Sequence, residues 1–383
     1  MKLTRIIFLT PYDPRDVRKW SGTIHSIYSA LSNNPEGVEV LTINAGWITF
    51  CARALNKLFR LAGIHIDWRF STAFALLTGA YLSIRLLFFG KAVIVAIAAS
   101  NYLPYLKTRK LIIYISDGTF RLISESYPDF MAFPNWLKKQ GDRNELISLR
   151  KSRYVIYPSR WASNSAKTQY AIPAARIFEI PFGPNIPDNL INEHYAPKSI
   201  GKREIRIVYV SADWARKNGD QAIEICRHLI GAGAKVRLIT IGRTPAYVRQ
   251  IDFVNDRGFL NKSDPKQLGE LCDAYRTAHF FLMPTKSDAS PIVFSEAQAF
   301  GVPPVSYDVG GVGSAIEHGK TGLLFPLGTS SETFAEEMMR YINNAELYRQ
   351  LSERCRNWYL DRANWSNWSK LIIQLSAKSA PAD

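Results

Sequence analysis

Short apolar runs alternate with stretches of helical spacing along the chain. In the N-terminal half, "RIIFLT", "VEVLTI", "AVIVAIA", "LIIYIS", "YVIYPS" and "RIFEIPF" are continuous, β-branched-rich runs. They predict buried strands. Residues 23–33 and 143–152 place apolar positions at helical spacing between them. Strands apolar throughout, alternating with helices, predict a parallel sheet covered on both faces. Residues 181–203, rich in Pro, Gly and Asn, read as a linker. The pattern then restarts with "IRIVYVS", a helix over 219–231, "KVRLITIG", "DRGFL", "FFLMPT", "PPVSYD" and "GLLFP". Residues 331–356 are helical, and "NWSNWSKLIIQLS" forms a last amphipathic helix. A chain of 383 residues exceeds one ordinary core. The expected fold class is therefore α/β: two doubly wound parallel-sheet domains, 1–190 and 203–360.

Two apolar stretches need a separate reading. Residues 70–99 are interrupted by Arg85, Gly90 and Lys91. A helix over 72–89 followed by a buried strand fits them better than a membrane span, which needs about 20 predominantly apolar residues. In residues 47–62, Arg53, Lys57 and Arg60 recur at helical spacing and face away from Trp47, Phe50, Leu58 and Leu61. That suits a helix lying in a membrane interface, and equally a packed helix with a wet basic face.

Charge sharpens the picture. The net charge of +15 is unevenly spread: residues 1–190 hold 24 Lys+Arg against 12 Asp+Glu, and residues 191–383 hold 24 against 21. The N-terminal half is thereby suited to an anionic partner. Four cysteines and six histidines show no metal-ligand spacing. The opening "MKLTRIIFLT" reads as a strand rather than a leader. A reduced cytoplasmic location follows as the expectation.

Ligands of doubly wound sheets bind at the carboxyl ends of the strands, and four stretches fall there. In "KSDASPIVFSEAQAF", Asp288, Ser290 and Pro291 occupy a loop, and Ile292, Val293 and Glu296 open a helix. Helix-start amides favour phosphate. Asp288 suits sugar hydroxyls and Glu296 a ribose diol. Asp288 as a helix cap and Glu296 as a dipole partner is the alternative. In "SADWARKNG", Arg216 and Lys217 suit a diphosphate or a departing anionic group; a solvated basic turn is the alternative. In "KWSGTIH", Gly22 lets backbone approach a phosphate, with Ser21 and Thr23 as donors, or Thr23 serves as a cap. In "SDGT", Asp117 suits a reacting sugar carbon or the acceptor, or simply makes a turn. The chain lacks GxxxxGK[ST], a G-x-G-x-x-G after its first strand, and D-x-D. These absences argue against a P-loop NTPase, a nicotinamide enzyme and the usual carboxylate pair for a metal–nucleotide complex.

The acidic pair with seven residues between, "EAQAFGVPPV", "DVGGVG" and "EHGKTGLLFP" together resemble the retaining glycosyltransferases of the GT-B fold, family four. The resemblance runs over nearly the whole chain and is strongest over 205–326. It implies two Rossmann-like domains facing a central cleft, with a C-terminal helix (361–378) crossing back to the first. It also implies a nucleotide diphosphate sugar as co-substrate, no metal and no further cofactor. The acceptor is implied on the N-terminal domain. Carried onto this chain, Glu296 binds ribose, Asp288 the donor sugar, Lys217 the diphosphate, and the Gly22 loop the phosphates.

Three positions depart from the family. Asp288 stands where Glu is usual. The phosphate arginine falls on Ala212, with Arg216 as its substitute. The family's histidine falls near Ser116–Asp117. The expected partners are a glycan or lipid-linked acceptor and an anionic membrane surface at the cytoplasmic face. A nucleotide-sugar epimerase, a DNA-modifying glycosyltransferase and a non-catalytic nucleotide-sugar-binding protein are the alternatives.

Overall fold

A computed structural model describes residues 4–33, 38–201 and 204–378. The chain divides into two compact units, Met1–Ile180 with Trp365–Asp383, and Pro181–Asn364.

The first unit holds strands β1 (Thr4–Leu9), β2 (Val38–Ile43), β3 (Val93–Ile97), β4 (Ile112–Ile115), β5 (Tyr154–Tyr157) and β6 (Ile177–Glu179). They form one parallel sheet in the order β2-β1-β3-β4-β5-β6. β4 is buried along its whole length and β3 at all but its first residue, which is why both read as unbroken apolar runs. Seven helices connect the strands: α1 (Thr23–Ser32), α2 (Gly46–Leu61), α3 (Thr72–Leu86), α4 (Phe120–Ser126), α5 (Pro128–Met131), α6 (Asn135–Lys151) and α7 (Arg160–Thr168).

The second unit repeats the architecture. Its strands are β7 (Ile205–Ser211), β8 (Val236–Gly242), β9 (Val254–Asp256), β10 (Phe280–Leu282), β11 (Pro304–Tyr307) and β12 (Leu323–Phe325). They lie parallel in the order β12-β11-β10-β7-β8-β9. Helices α8 (Asp188–His194), α9 (Gly219–Gly231), α10 (Pro265–Thr277), α11 (Ile292–Ala299), α12 (Ser331–Ile342) and α13 (Ala345–Asp361) complete it. The last helix, α14 (Trp365–Ala377), belongs to the first unit, where it packs on α1 and β1. Its Trp365, Trp368, Ile372 and Leu375 are buried.

Three local expectations change. The stretch read as a linker contains α8, and Ile186, Ile191 and Ile200 belong to the second unit's core. The strand expected at "DRGFL" lies earlier, at β9, because Gly258 turns left-handed at φ 65° and ends the extended run. The helix expected over 331–356 is two helices. Asn344 interrupts it with extended backbone and caps α13, its side chain accepting from the Leu347 amide at 3.0 Å.

In both sheets the strand order reverses beside the first strand of the unit: β1 stands between β2 and β3, and β7 between β8 and β10. Loops leaving β1 and β7 therefore open at the switch point where doubly wound sheets bind ligands. Close packing reaches this edge. Gly242, at φ 121°, ends β8 where a Cβ would overlap the Ser211 carbonyl. Gly242→Ala is expected to cost about 2 kcal/mol, read as a lower urea midpoint at unchanged m-value.

Candidate functional site

In the second unit the turn after β7 is built from its own side chains. The Ser211 hydroxyl accepts from the Asp213 amide at 2.9 Å, and the Asp213 carboxylate accepts from the Arg216 amide at 3.2 Å. Asn218, at φ 57°, closes the turn and starts α9. The Arg216 guanidinium is held on two sides, donating to Asp213 Oδ2 and to the Ser287 carbonyl, each at 2.9 Å. The Lys286 amide donates to the Arg216 carbonyl at 3.0 Å. The β7 and β10 loops are thus stitched together, as neighbouring strands allow.

Lys217 ion-pairs with Asp288 at this seam. Both side chains are nearly enclosed, at 12% and 10% exposure. Burial lowers the Lys217 ammonium below its ordinary value, against the pull of Asp288. The Asp288 backbone is fixed from the far side: its carbonyl accepts from the Gly311 amide at 2.8 Å. Gly310, at φ 56°, lies so close that a Cβ would meet that carbonyl. This explains the paired glycines of "DVGGVG" as room for one loop to pass over another.

Asp288 does not cap α11. Pro291 occupies the cap position and no side chain caps that end. Asp288 instead accepts from the Ser290 amide at 3.3 Å. The start of α11, at Ile292 and Val293, therefore carries the field of the helix terminus without a side-chain carboxylate to quench it. Glu296 lies one turn deeper and is fully buried. It pairs with Lys262, and it accepts from the Tyr275 hydroxyl at 3.1 Å and the Asn185 amide at 3.3 Å. This is an enclosed acid rather than a surface partner of the dipole. Its ion-pair partner Lys262 is less enclosed, with 27% side-chain exposure.

In the first unit, Trp20, Ser21 and Gly22 take left-handed backbone in succession, at φ 50°, 57° and 92°. For Trp20 and Ser21 this costs on the order of 1 kcal/mol each. Part of the restraint is visible: Trp20 Nε1 donates to Asp117 Oδ2 at 3.2 Å, tying the loop after β1 to the loop after β4. Gly22 is the cap residue of α1, and the buried Thr23 is its first helical residue; Thr23 does not serve as the cap. In "SDGT" the capping residue is Thr119, which accepts from the Leu122 amide at 3.5 Å. Beneath this loop the Tyr114 hydroxyl donates to the buried Glu145 at 3.1 Å.

The structure therefore gathers Arg216, Lys217, Asp288, Ser290 and the start of α11 at one strand-end edge, with Glu296 just inside. It gathers Ser21, Gly22, Thr23 and Asp117 at the strand-end edge of the other unit. Sequence reasoning missed Lys262, Tyr275, Trp20 and Glu145. Trp20 stood inside a recognised stretch; the others act through contacts distant in sequence, which no local pattern marks.

Two units, each a parallel sheet with the doubly wound strand order, define the GT-B class of fold. Residues 191–358 match the family model for glycosyl transferases group 1. A D-inositol 3-phosphate glycosyltransferase of Rhodococcus erythropolis is 28% identical over 147 residues, 37% of this chain and 30% of that protein. The match thus spans under a third of that relative's length. Among solved structures, a glycosyltransferase from Rickettsia africae ESF-5 superposes with TM-score 0.63 at 11% identity, covering all of both chains. Anabaena Alr3699/HepE, solved in complex with UDP and glucose, superposes with TM-score 0.62 at 14% identity, covering 98% of this chain and all of the other.

Proposed function

We propose that this protein transfers a sugar from a nucleotide diphosphate sugar to a hydroxyl of a glycan or lipid-linked acceptor, with retention at the anomeric carbon. The observation that carries the reading is the seam of Arg216, Lys217 and Asp288 beside the uncapped start of α11. In this reading these cations and helix-start amides hold a diphosphate. The group 1 domain encloses all of these residues.

In this reading the bond from the anomeric carbon to the diphosphate oxygen breaks as charge grows on the leaving group. Arg216, Lys217 and the amides of Ile292 and Val293 offset that charge, and their contribution is largest in the transition state. The acceptor oxygen bonds to the same face of the carbon. Its proton passes to an oxygen of the departing diphosphate, and nucleoside diphosphate and glycoside result. Asp288 orients the sugar hydroxyls, and Glu296 takes the ribose in exchange for Lys262. The Gly22 loop would offer amides to a phosphate, and Asp117 would act at the reacting carbon. Charge neutralisation by these groups needs no metal, so turnover is expected to survive chelation by EDTA.

The test is a thermal-shift panel of uridine, guanosine and adenosine diphosphates and their sugars. One base is expected to raise Tm by several degrees, since ligand at a hundred times Kd stabilises by about 2.7 kcal/mol. Absence of any shift, together with no sugar transfer from any donor, would sink the reading.

A further inference from the structure

We propose that α2 and α3 of the first unit form a docking face for an anionic lipid bilayer. The two helices have three kinds of surface rather than two. On α2, Ile48, Thr49 and Ala52 are buried in the unit. Trp47, Phe50, Leu58 and Leu61 point the other way and are 60–78% exposed. Arg53, Lys57 and Arg60, expected to face away from that stripe, instead run along one flank between these faces, by the helical repeat. The apolar stripe is therefore not the packed side of an ordinary amphipathic helix; a different set of residues fills that role.

The next helix repeats the arrangement. Phe74, Thr78 and Leu82 of α3 are buried, whereas Leu77, Ile84 and, just past its end, Leu87 and Phe88 are 60–81% exposed. Trp47 meets Tyr81 of α3 edge-on, with ring centroids 6.1 Å apart. The stripes therefore adjoin. Most of the exposed large hydrophobics among the described residues lie between positions 47 and 88. A patch of this kind marks a surface that something covers.

Charge identifies the occupant. Residues 40–116 hold nine Lys+Arg and a single acid, Asp67, a net of 9 − 1 = +8 out of the chain's +15. Asp67 is already paired with Arg69. A second copy of the chain, docked face to face about a two-fold axis, would set this basic surface against itself. Nucleic acid offers phosphate but no use for exposed leucines. A bilayer with anionic headgroups takes both components at once, the apolar stripe entering the headgroup boundary and the lysines and arginines meeting lipid phosphate. No helix among the described residues is long and apolar enough to cross a membrane, so the contact is a surface one. α2 follows the carboxyl end of β2, on the same sheet edge as the Gly22 loop and Asp117. An acceptor hydroxyl carried on a lipid would thus arrive on the acceptor-side edge.

The full chain is floated with vesicles of phosphatidylcholine alone and of phosphatidylcholine with phosphatidylglycerol in equal parts, without any donor, so the result does not depend on transferase activity. Binding is expected on the anionic vesicles. Leu58→Asp with Phe88→Asp abolishes it at an unchanged melting temperature. Arg53→Gln, Lys57→Gln and Arg60→Gln together weaken it on the order of a hundredfold. The proposal is overturned if the chain ignores anionic vesicles, or if both sets of variants bind as the parent does. It is equally overturned if the same face proves to hold a dimer that Leu58→Asp splits, or DNA in a gel shift, with no lipid binding.

Discussion

Lys217→Met is expected to lower kcat by a factor of about 100 to 1,000, the range for removing one group that stabilises developing oxyanion charge. The same change should also destabilise the fold. Lys217 and Asp288 are a nearly enclosed pair, and taking away one partner of such a pair costs on the order of 3 kcal/mol. Activity and stability would then fall together, and a merely structural lysine would give the same pattern. A second variant separates the cases. Lys217→Met combined with Asp288→Asn removes the stranded carboxylate charge, so it should regain most of the lost Tm. Turnover should stay at the level of the single variant or below it. If the double variant recovers activity along with stability, Lys217 holds the seam together and does nothing for the leaving group.

The order of strands and helices was legible because each element announces itself locally. β2 and α9 fall on the expected residues, and both are short segments bounded by turn residues. What escaped is non-local. Nothing within "NKSDPKQL" says that Lys262 reaches Glu296, which lies 34 positions further on. The buried face of Glu145 is set by Tyr114, 31 positions earlier. α3 escaped for a different reason. Its residues are apolar nearly all round, so periodicity cannot say which side is covered. The structure shows one apolar side packed and another facing out. The candidate site was found because its residues sit at strand ends, where loop chemistry is readable. Its depth was not: Glu296 reads as a first-turn acid and proves to be an enclosed one.

Glu145 carries a large expected pH effect between pH 5 and pH 8. It lies on the buried face of α6, accepts from the Tyr114 hydroxyl, and has no ion pair among the described residues. Burial pushes its carboxyl up to about 8; hydrogen bonds from Ser100 and Tyr114 resist the rise, and the charges of Asp142 and Asp117 add to it. The unfolded chain releases this proton near the ordinary glutamate value of 4.5. Between 4.5 and 8 the native state therefore binds more protons than the unfolded one, and this group makes unfolding easier as pH rises. By pH 7 the loss is roughly 3 kcal/mol relative to acid conditions. His279, lowered by burial to about 4, slopes the other way up to pH 6.5. Lys198, lowered by burial to about 7, does so above that. The whole protein's profile consequently hides the effect, and the difference between parent and Glu145→Gln exposes it. Gln keeps an acceptor for Tyr114 and carries no charge. The variant is expected to gain stability over the parent steadily from pH 5 to pH 8, read from urea midpoints at constant m-value. Parallel curves across that interval would mean that Glu145 is ionised in the native fold, with a partner supplying what burial takes away.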